Sequence, residues 1–208
     1  MTSLRHLLLP AVALWLAAAP AQAQRFVVTP GPEFVVGEPL GIAVEGLPAG
    51  GEVRIEARRT VVEWQTGRAR AYRSEARFRA DGNGRIDLAS TAPLAGGSYE
   101  GADLRGLFWS QVPAPEGSAT TAPGRVQLEL RSADGERTLA VQELVLRQAR
   151  DDIASREATP FPGARFFVAP GAPGARRPAL IVLGGSEGGS MILRDGPVWA
   201  SRGYAVLA

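Results

Sequence analysis

Residues 52–58 read Glu-Val-Arg-Ile-Glu-Ala-Arg, with an apolar side chain at every second position. Successive side chains of a strand point to opposite faces, so Val53, Ile55 and Ala57 line one face and Glu52, Arg54, Glu56 and Arg58 the other. Tyr72, Ser74, Ala76, Phe78 and Ala80 alternate in the same way with Arg73, Glu75, Arg77 and Arg79. Val126, Leu128 and Leu130 do so with Gln127, Glu129 and Arg131. Each run predicts a strand with one buried and one solvated face. Leu139 and Val141 share a parity that Leu144 and Leu146 break, which predicts a bulge or bend between the two pairs. Turn chemistry separates the runs at residues 48–51, 81–84, 96–97 and 133–135, all rich in glycine or Asp-Gly. About seven short strands in roughly 120 residues fit an immunoglobulin-like β-sandwich with its own core.

The pattern changes after residue 149. Residues 150–163 read as a polar connector ending in Phe161-Pro162-Gly163. "ARFFVAP" then predicts a short strand and "PALIVLGG" a strand buried on both faces, as in a parallel sheet. A helix is expected within residues 190–202, with Pro197 imposing a late start or a kink and Gly203 as its C′ residue. "YAVLA" begins another buried strand. Strand, glycine-rich loop, helix, strand is the opening of a βαβ unit. One such unit leaves open edges and an uncovered apolar face, so the chain is expected to be the front part of a longer protein.

The first residues carry an address. Arg5 and His6 precede an apolar run over residues 7–18, and Ala21-Gln22-Ala23 supplies a small-x-small cleavage pattern. This predicts a signal peptide over residues 1–23, export to the periplasm or beyond, and no stable membrane span after cleavage, the run being shorter than the roughly 20 residues a span needs. The chain has no cysteine, and its one histidine, His6, lies in that leader. Residues 24–208 therefore cannot assemble a Ser-His-Asp triad, a disulfide or a cysteine metal site. A formal net charge of +2, carried by arginine alone on the basic side, gives no field that points to nucleic acid or membrane.

Against that background stands "GGSEGG" at residues 184–189, within which Gly184-Gly185-Ser186-Glu187-Gly188 spells the G-x-S-x-G of a serine nucleophile. The missing base and the early position in the α/β segment argue against nucleophilicity. A glycine-rich loop after an early strand can instead turn backbone N–H groups toward an oxyanion, so Gly184, Gly185 and Ser186 are predicted as oxyanion-loop residues. It is no phosphate loop, lacking the G-K-[ST] ending. "ADGNGRID" has calcium-loop flavour but fails the spacing, and reads as a hairpin turn. The arginines between residues 54 and 85 interleave with Glu52, Glu56, Glu63 and Glu75, which predicts a self-compensated solvated face. "GSYEGADLRGLFWS" at residues 97–110 places Tyr99, Leu107, Phe108 and Trp109 in a glycine-punctuated stretch. That is core packing under a loop or an interdomain contact.

Four pieces together carry a resemblance: "EPLGIAVEGLPAGGEVRIEA", "SEARFRADGNGRIDL", "GSYEGADLRGLFWS" and "ALIVLGGSEGG…WASRGYAVLA". The chain resembles the acyl-CoA thioesterase and bile acid-CoA:amino acid N-acyltransferase family in its bacterial branch. The resemblance implies a β-sandwich over residues 24–149 and the incomplete start of an α/β-hydrolase domain over residues 164–208. It implies acyl transfer from a thioester, with an acyl-CoA or another acyl ester or thioester as partner. It implies no cofactor and no metal, and a nucleophile, acid and histidine downstream of this chain. Two alternatives stand beside it: an exported esterase or peptidase-like α/β-hydrolase with the sandwich as accessory, and a truncated non-catalytic binding module.

Overall fold

The computed structural model describes residues 23–208 apart from residues 64–65, 160, 173, 175 and 186–189, and of residues 190–192 it describes the backbone. The predicted leader falls outside the described residues, residue 23 excepted. The alternating runs form the strands expected of them. In chain order these are β1 (Arg25–Thr29), β2 (Glu33–Val35), β3 (Gly41–Glu45), β4 (Glu52–Val62), β5 (Ala69–Arg79), β6 (Ile86–Asp87), β7 (Val112–Pro113), β8 (Arg125–Ser132) and β9 (Thr138–Arg147), with the short helix α1 (Gly106–Trp109) between β6 and β7. One sheet has the order β1-β3-β6, the other β2-β9-β8-β4-β5-β7. β4 is the centre of the larger sheet, antiparallel to β5 and β8 along most of its length. A cis peptide joins Thr29 to Pro30 where the chain leaves one sheet for the other. β2 then runs parallel to β9.

The apolar parity of each strand meets in one core. Ile42 and Val44 of the smaller sheet pack with Ile55, Ala57, Phe78, Leu128, Leu130 and Leu144 of the larger, and each is essentially inaccessible to solvent. Fully burying one such aliphatic or aromatic side chain contributes about 1.5–3 kcal/mol, so this face-to-face contact is what holds the sandwich together. The irregularity in β9 lies N-terminal to its expected place. Leu130 pairs with Ala140 and Arg131 with Thr138, which leaves Leu139 as the extra residue. The bulge lets Leu139 and Ala140 both pack against the core, while Val141 faces solvent, 53% exposed. The hairpin turn after β5 forms as predicted: Asp81 Oδ1 accepts the amides of Asn83 (2.9 Å) and Arg85 (2.8 Å). Gly84 completes that turn at φ +73°, where a Cβ would stand 1.9 Å from the Leu47 carbonyl oxygen. Only glycine fits there.

A third sheet, forming a second unit, follows, made of β10 (Ala154–Glu157), β11 (Arg165–Val168), β12 (Ala179–Ile181) and β13 (Ala205–Leu207) in the order β10-β11-β13-β12. β12 and β13 are parallel and joined through α2 (Ser190–Ala200); the other two pairings are antiparallel. The expected strand–loop–helix–strand unit is thus present. Two expectations are corrected. Residues 150–163 are more than a connector, because β10 lies within them and pairs along its whole length with β11. α2 starts at Ser190 with Pro197 inside it, so the proline imposes no late start, and Gly203 follows the helix at φ +92° with its amide on the Ala200 carbonyl (3.0 Å), as expected. β12 is not buried on both faces. α2 covers one side, packing Phe167, Ala200 and Val206 together with Leu180 and Val182, whereas Ile181 is 70% and Leu183 83% exposed. The helix lies close because residue 196 is glycine: a Cβ there would stand 2.4 Å from the Phe167 ring.

Two polar contacts tie this sheet to the sandwich. The Arg202 guanidinium donates to Val198 O (2.6 Å) in α2 and to Val36 O (3.0 Å) just after β2. The Arg150 amide donates to Ser201 Oγ (2.8 Å). Arg202 also lies 5.7 Å from the centroid of the Trp199 ring, which fixes its direction.

Candidate functional site

The loop between β12 and α2 is the first candidate. Hydrogen bonds from β12 to β13, continued by the Val182 amide on Leu207 O (2.8 Å), bring the chain to the end of the sheet, where Leu183, Gly184 and Gly185 emerge exposed. α2 begins at Ser190. Gly184 and Gly185 therefore sit between a strand end and a helix N-terminus, a place where backbone N–H groups and the helix dipole favour negative charge. Ser186 lies outside the described residues, as do the glycines at 188 and 189. With no histidine in residues 24–208 this stretch cannot be completed into a Ser-His-Asp triad by the chain itself, and what its glycine backbone can offer to chemistry is N–H donors.

The second candidate is the 97–110 segment, which does two things at once. Leu107 is completely buried and its carbonyl accepts the Ser74 hydroxyl at 2.5 Å, which ties α1 to the inner face of β5. Tyr99 lies over Gly106, where a Cβ would stand 2.1 Å from the ring, so the glycine of "GLFWS" is required by that ring. Trp109 meets Tyr99 edge-on at 6.0 Å, yet is 61% exposed. Its indole N–H donates to Asp103 Oδ2 at 2.8 Å. That bond, with the Arg105 amide on the same carboxylate, holds Asp103 below the ordinary carboxylate range. Burial, with a smaller push from Asp103, raises the Tyr99 phenol to about 12. Tyr99 is thus a neutral hydroxyl at any physiological pH.

Trp109 borders a groove of about 390 Å³ at the end of the sandwich, walled by Phe34, Val36, Leu40, Phe108 and Leu146 and edged by Glu38, Arg59 and Arg105. Arg59 shares the parity of Val53, Ile55 and Ala57 and stands opposite Val126 and Tyr72, so it points to the inner side of the sheet where the core opens. Period two places it there, although the arginines at 54 and 58 belong to the outer face. On the outer face of the same sheet the charges compensate one another as predicted. Arg58 grips Glu56 with two bonds (2.7 and 2.8 Å) and approaches Glu129 (3.6 Å), while Arg54 pairs with Glu75 (3.3 Å). The Glu56 bond is the chief reason that the Arg58 pKa is raised. Glu56 is nonetheless only 5% exposed, which the alternation could not tell, because its cover comes from neighbouring strands.

Comparison with known proteins adds what geometry cannot. The family model for the acyl-CoA thioester hydrolase/BAAT N-terminal region matches residues 37–157, more than half of the chain. Acyl-coenzyme A thioesterase 5 of Mus musculus is 31% identical over 191 residues, covering 82% of this chain and 41% of that protein. The peroxisomal succinyl-coenzyme A thioesterase of Mus musculus is likewise 31% identical, with the same coverage. The mitochondrial acyl-coenzyme A thioesterase 2 of Rattus norvegicus is 29% identical over 200 residues, covering 86% and 40%. The chain spans about two fifths of the length of these curated relatives. By the match over its sandwich and its likeness to these enzymes, the chain belongs to the acyl-CoA thioester hydrolase/BAAT family.

Proposed function

We propose that this chain is the sandwich and the opening of the α/β-hydrolase domain of an exported thioester hydrolase or acyltransferase. The observation that carries the reading is the place of the glycine loop. β12 is the third strand of its sheet in chain order, α2 is the first full-length helix, and the loop between them holds Gly184, Gly185 and Ser186. In α/β-hydrolases the loop after the third strand supplies one N–H of the oxyanion hole. The family of the relatives supports a thioester as the substrate class. In this reading a downstream nucleophile attacks the acyl carbonyl, an N–H of Gly185 or Ser186 holds the oxyanion, and the C–S bond breaks as the tetrahedral intermediate collapses. Ser186 itself lacks the base a nucleophile needs.

The test is to express the reading frame that contains this chain, with its downstream sequence, and to assay an acyl-CoA beside a simple acyl ester. The expected frame carries a later G-x-[SC]-x-G and a histidine, and the expected protein prefers the thioester. Gly185→Pro, which removes one N–H, is expected to lower kcat by about 10²–10³. A preference for the ester would favour the exported esterase or peptidase-like alternative, for which the predicted leader, which directs the protein away from the cytosolic CoA pool, is the argument. A frame without a later nucleophile and histidine would sink both enzyme readings in favour of a binding module. Alkaline phosphatase fused after residue 40 tests export directly.

A further inference from the structure

The groove at the end of the sandwich has a chemistry that the acyl-transfer reading leaves unused. Its walls are apolar and Trp109 stands in it 61% exposed, a large surface for a single aromatic side chain to leave in water. Its volume of about 390 Å³ lies within the range of small-molecule pockets. Three charges edge it. Arg105 has Asp103 as its electrostatic neighbour, and Glu38 faces Arg150 electrostatically. Arg59 is left without an ion pair among the described residues, and its Nε is buried with no acceptor. Tyr99 Oη, Ser110 Oγ and Gln111 Oε1 are also buried without hydrogen-bond partners. These three residues stack on Trp109 or follow it directly in the chain. Buried polar groups are ordinarily paired, so the unpaired Nε of Arg59, which lines the groove, calls for an acceptor there.

We propose that this groove binds a long-chain monocarboxylate, its alkyl chain on Phe34, Leu146, Phe108 and Trp109 and its carboxylate on the Arg59 guanidinium. One uncompensated guanidinium matches a single negative charge, and its planar fork fits a carboxylate. The site belongs to the sandwich and stands whether or not the protein turns over a thioester.

The experiment is a titration of the full chain with dodecanoate, followed by tryptophan emission and by calorimetry. Dodecanoate is expected to saturate one site and to shift the emission to the blue as the Trp109 indole leaves water. Dodecanol, which has the chain without the charge, is expected to bind at least tenfold more weakly, and Arg59→Met to weaken dodecanoate by about tenfold or more. Arg59→Lys keeps the charge without the fork and is expected to fall between wild type and Arg59→Met, which keeps the test valid if the methionine variant folds poorly. Trp109→Phe is expected to abolish the emission shift while the calorimetric binding persists. Absence of saturation, equal binding of dodecanol, or tighter binding of dodecyl phosphate than of dodecanoate would each overturn the proposal. So would sedimentation showing a dimer that dodecanoate does not dissociate and that hides Trp109, since the occupant would then be a second copy.

Discussion

The sandwich and the second unit solve the same problem to different degrees. In the sandwich two sheets close on nineteen buried residues among those described, including Phe78, Ile55 and Leu128 at zero exposure. The four-stranded sheet of the second unit closes on Phe167, Ala200 and Val206, with a helix on one side and Ile181 and Leu183 in the open on the other. β11, β12 and β13 are apolar, so a want of apolar strands does not by itself explain the difference. A sheet needs a second layer over each apolar face, and only the sandwich supplies it from its own residues. Stability is therefore expected to concentrate in residues 25–147, with the second unit held in part by Arg202 and Arg150.

That contrast is most exposed to test by phenylalanine truncation. Phe78→Ala is expected to cost about 3–5 kcal/mol of unfolding free energy, as for a large residue removed from a closed core. Phe167→Ala should leave the main urea transition in place and change only hydrogen-exchange protection in residues 154–208. Equal shifts of one transition would show that the two units unfold as one. Next in size are the glycines. Gly84→Ala brings a Cβ against a backbone carbonyl at positive φ and should destabilise the sandwich by about 2 kcal/mol or more. Gly196→Ala sets a Cβ 2.4 Å from the buried Phe167 ring, partly offset by the helix preference for alanine, so about 1–2 kcal/mol is expected, confined to the second unit. Thermal melts followed in the two regions separately would distinguish them.

A smaller effect is expected at the junction. Arg202→Ala removes the donor to Val36 O, an interaction of about 1 kcal/mol, and should speed proteolysis near residues 148–153 without moving the melting of the sandwich. Unchanged cleavage would mean that the units are held by something other than this arginine. Smallest of all is the acid response of Trp109. The Asp103 carboxyl is held below its ordinary value of 3.8, so its contribution is present above the unfolded value and is lost as pH falls through the lower folded one. Trp109 emission should accordingly change at a pH below 3.8, and Asp103→Asn should remove that step. A midpoint above 3.8 would show that the indole contact is not what holds the carboxylate down.

Much of the sandwich was legible because its information is local. Val53, Ile55, Ala57, Phe78 and Leu128 declare their faces by period two, and Asp81 and Gly84 declare their turn. The bulge at Leu139 was misplaced because a parity break marks that an extra residue exists, whereas its position depends on pairing with Leu130 and Arg131. β10 was read as connector because its Ala-Ser-Arg-Glu sequence has no apolar alternation, and its membership of a sheet comes from pairing with β11. The burial of β12 was overstated for the opposite reason. An apolar run declares what a strand needs, and Ile181 and Leu183 do not obtain it from residues 154–208. Of the candidate site, the glycine loop was visible as composition, while the groove at Arg59 required the fold that brings Phe34, Leu146 and Trp109 to one end.

The parallel pairing of β2 with β9 also has a mechanical meaning. β2 is the second strand of the sandwich and β9 its last, and Glu33, Phe34 and Val35 match Val145, Leu146 and Arg147, with an ion pair between Arg147 and Glu33. Because both run in the same direction, a pull that separates the chain before β2 from the chain after β9 loads all of their bonds together in shear. An antiparallel pair held at one end would open bond by bond like a zipper. The sandwich is thus clamped in shear along this line, and tension from a leading segment would meet the β1–β3 pairing first and this seam next.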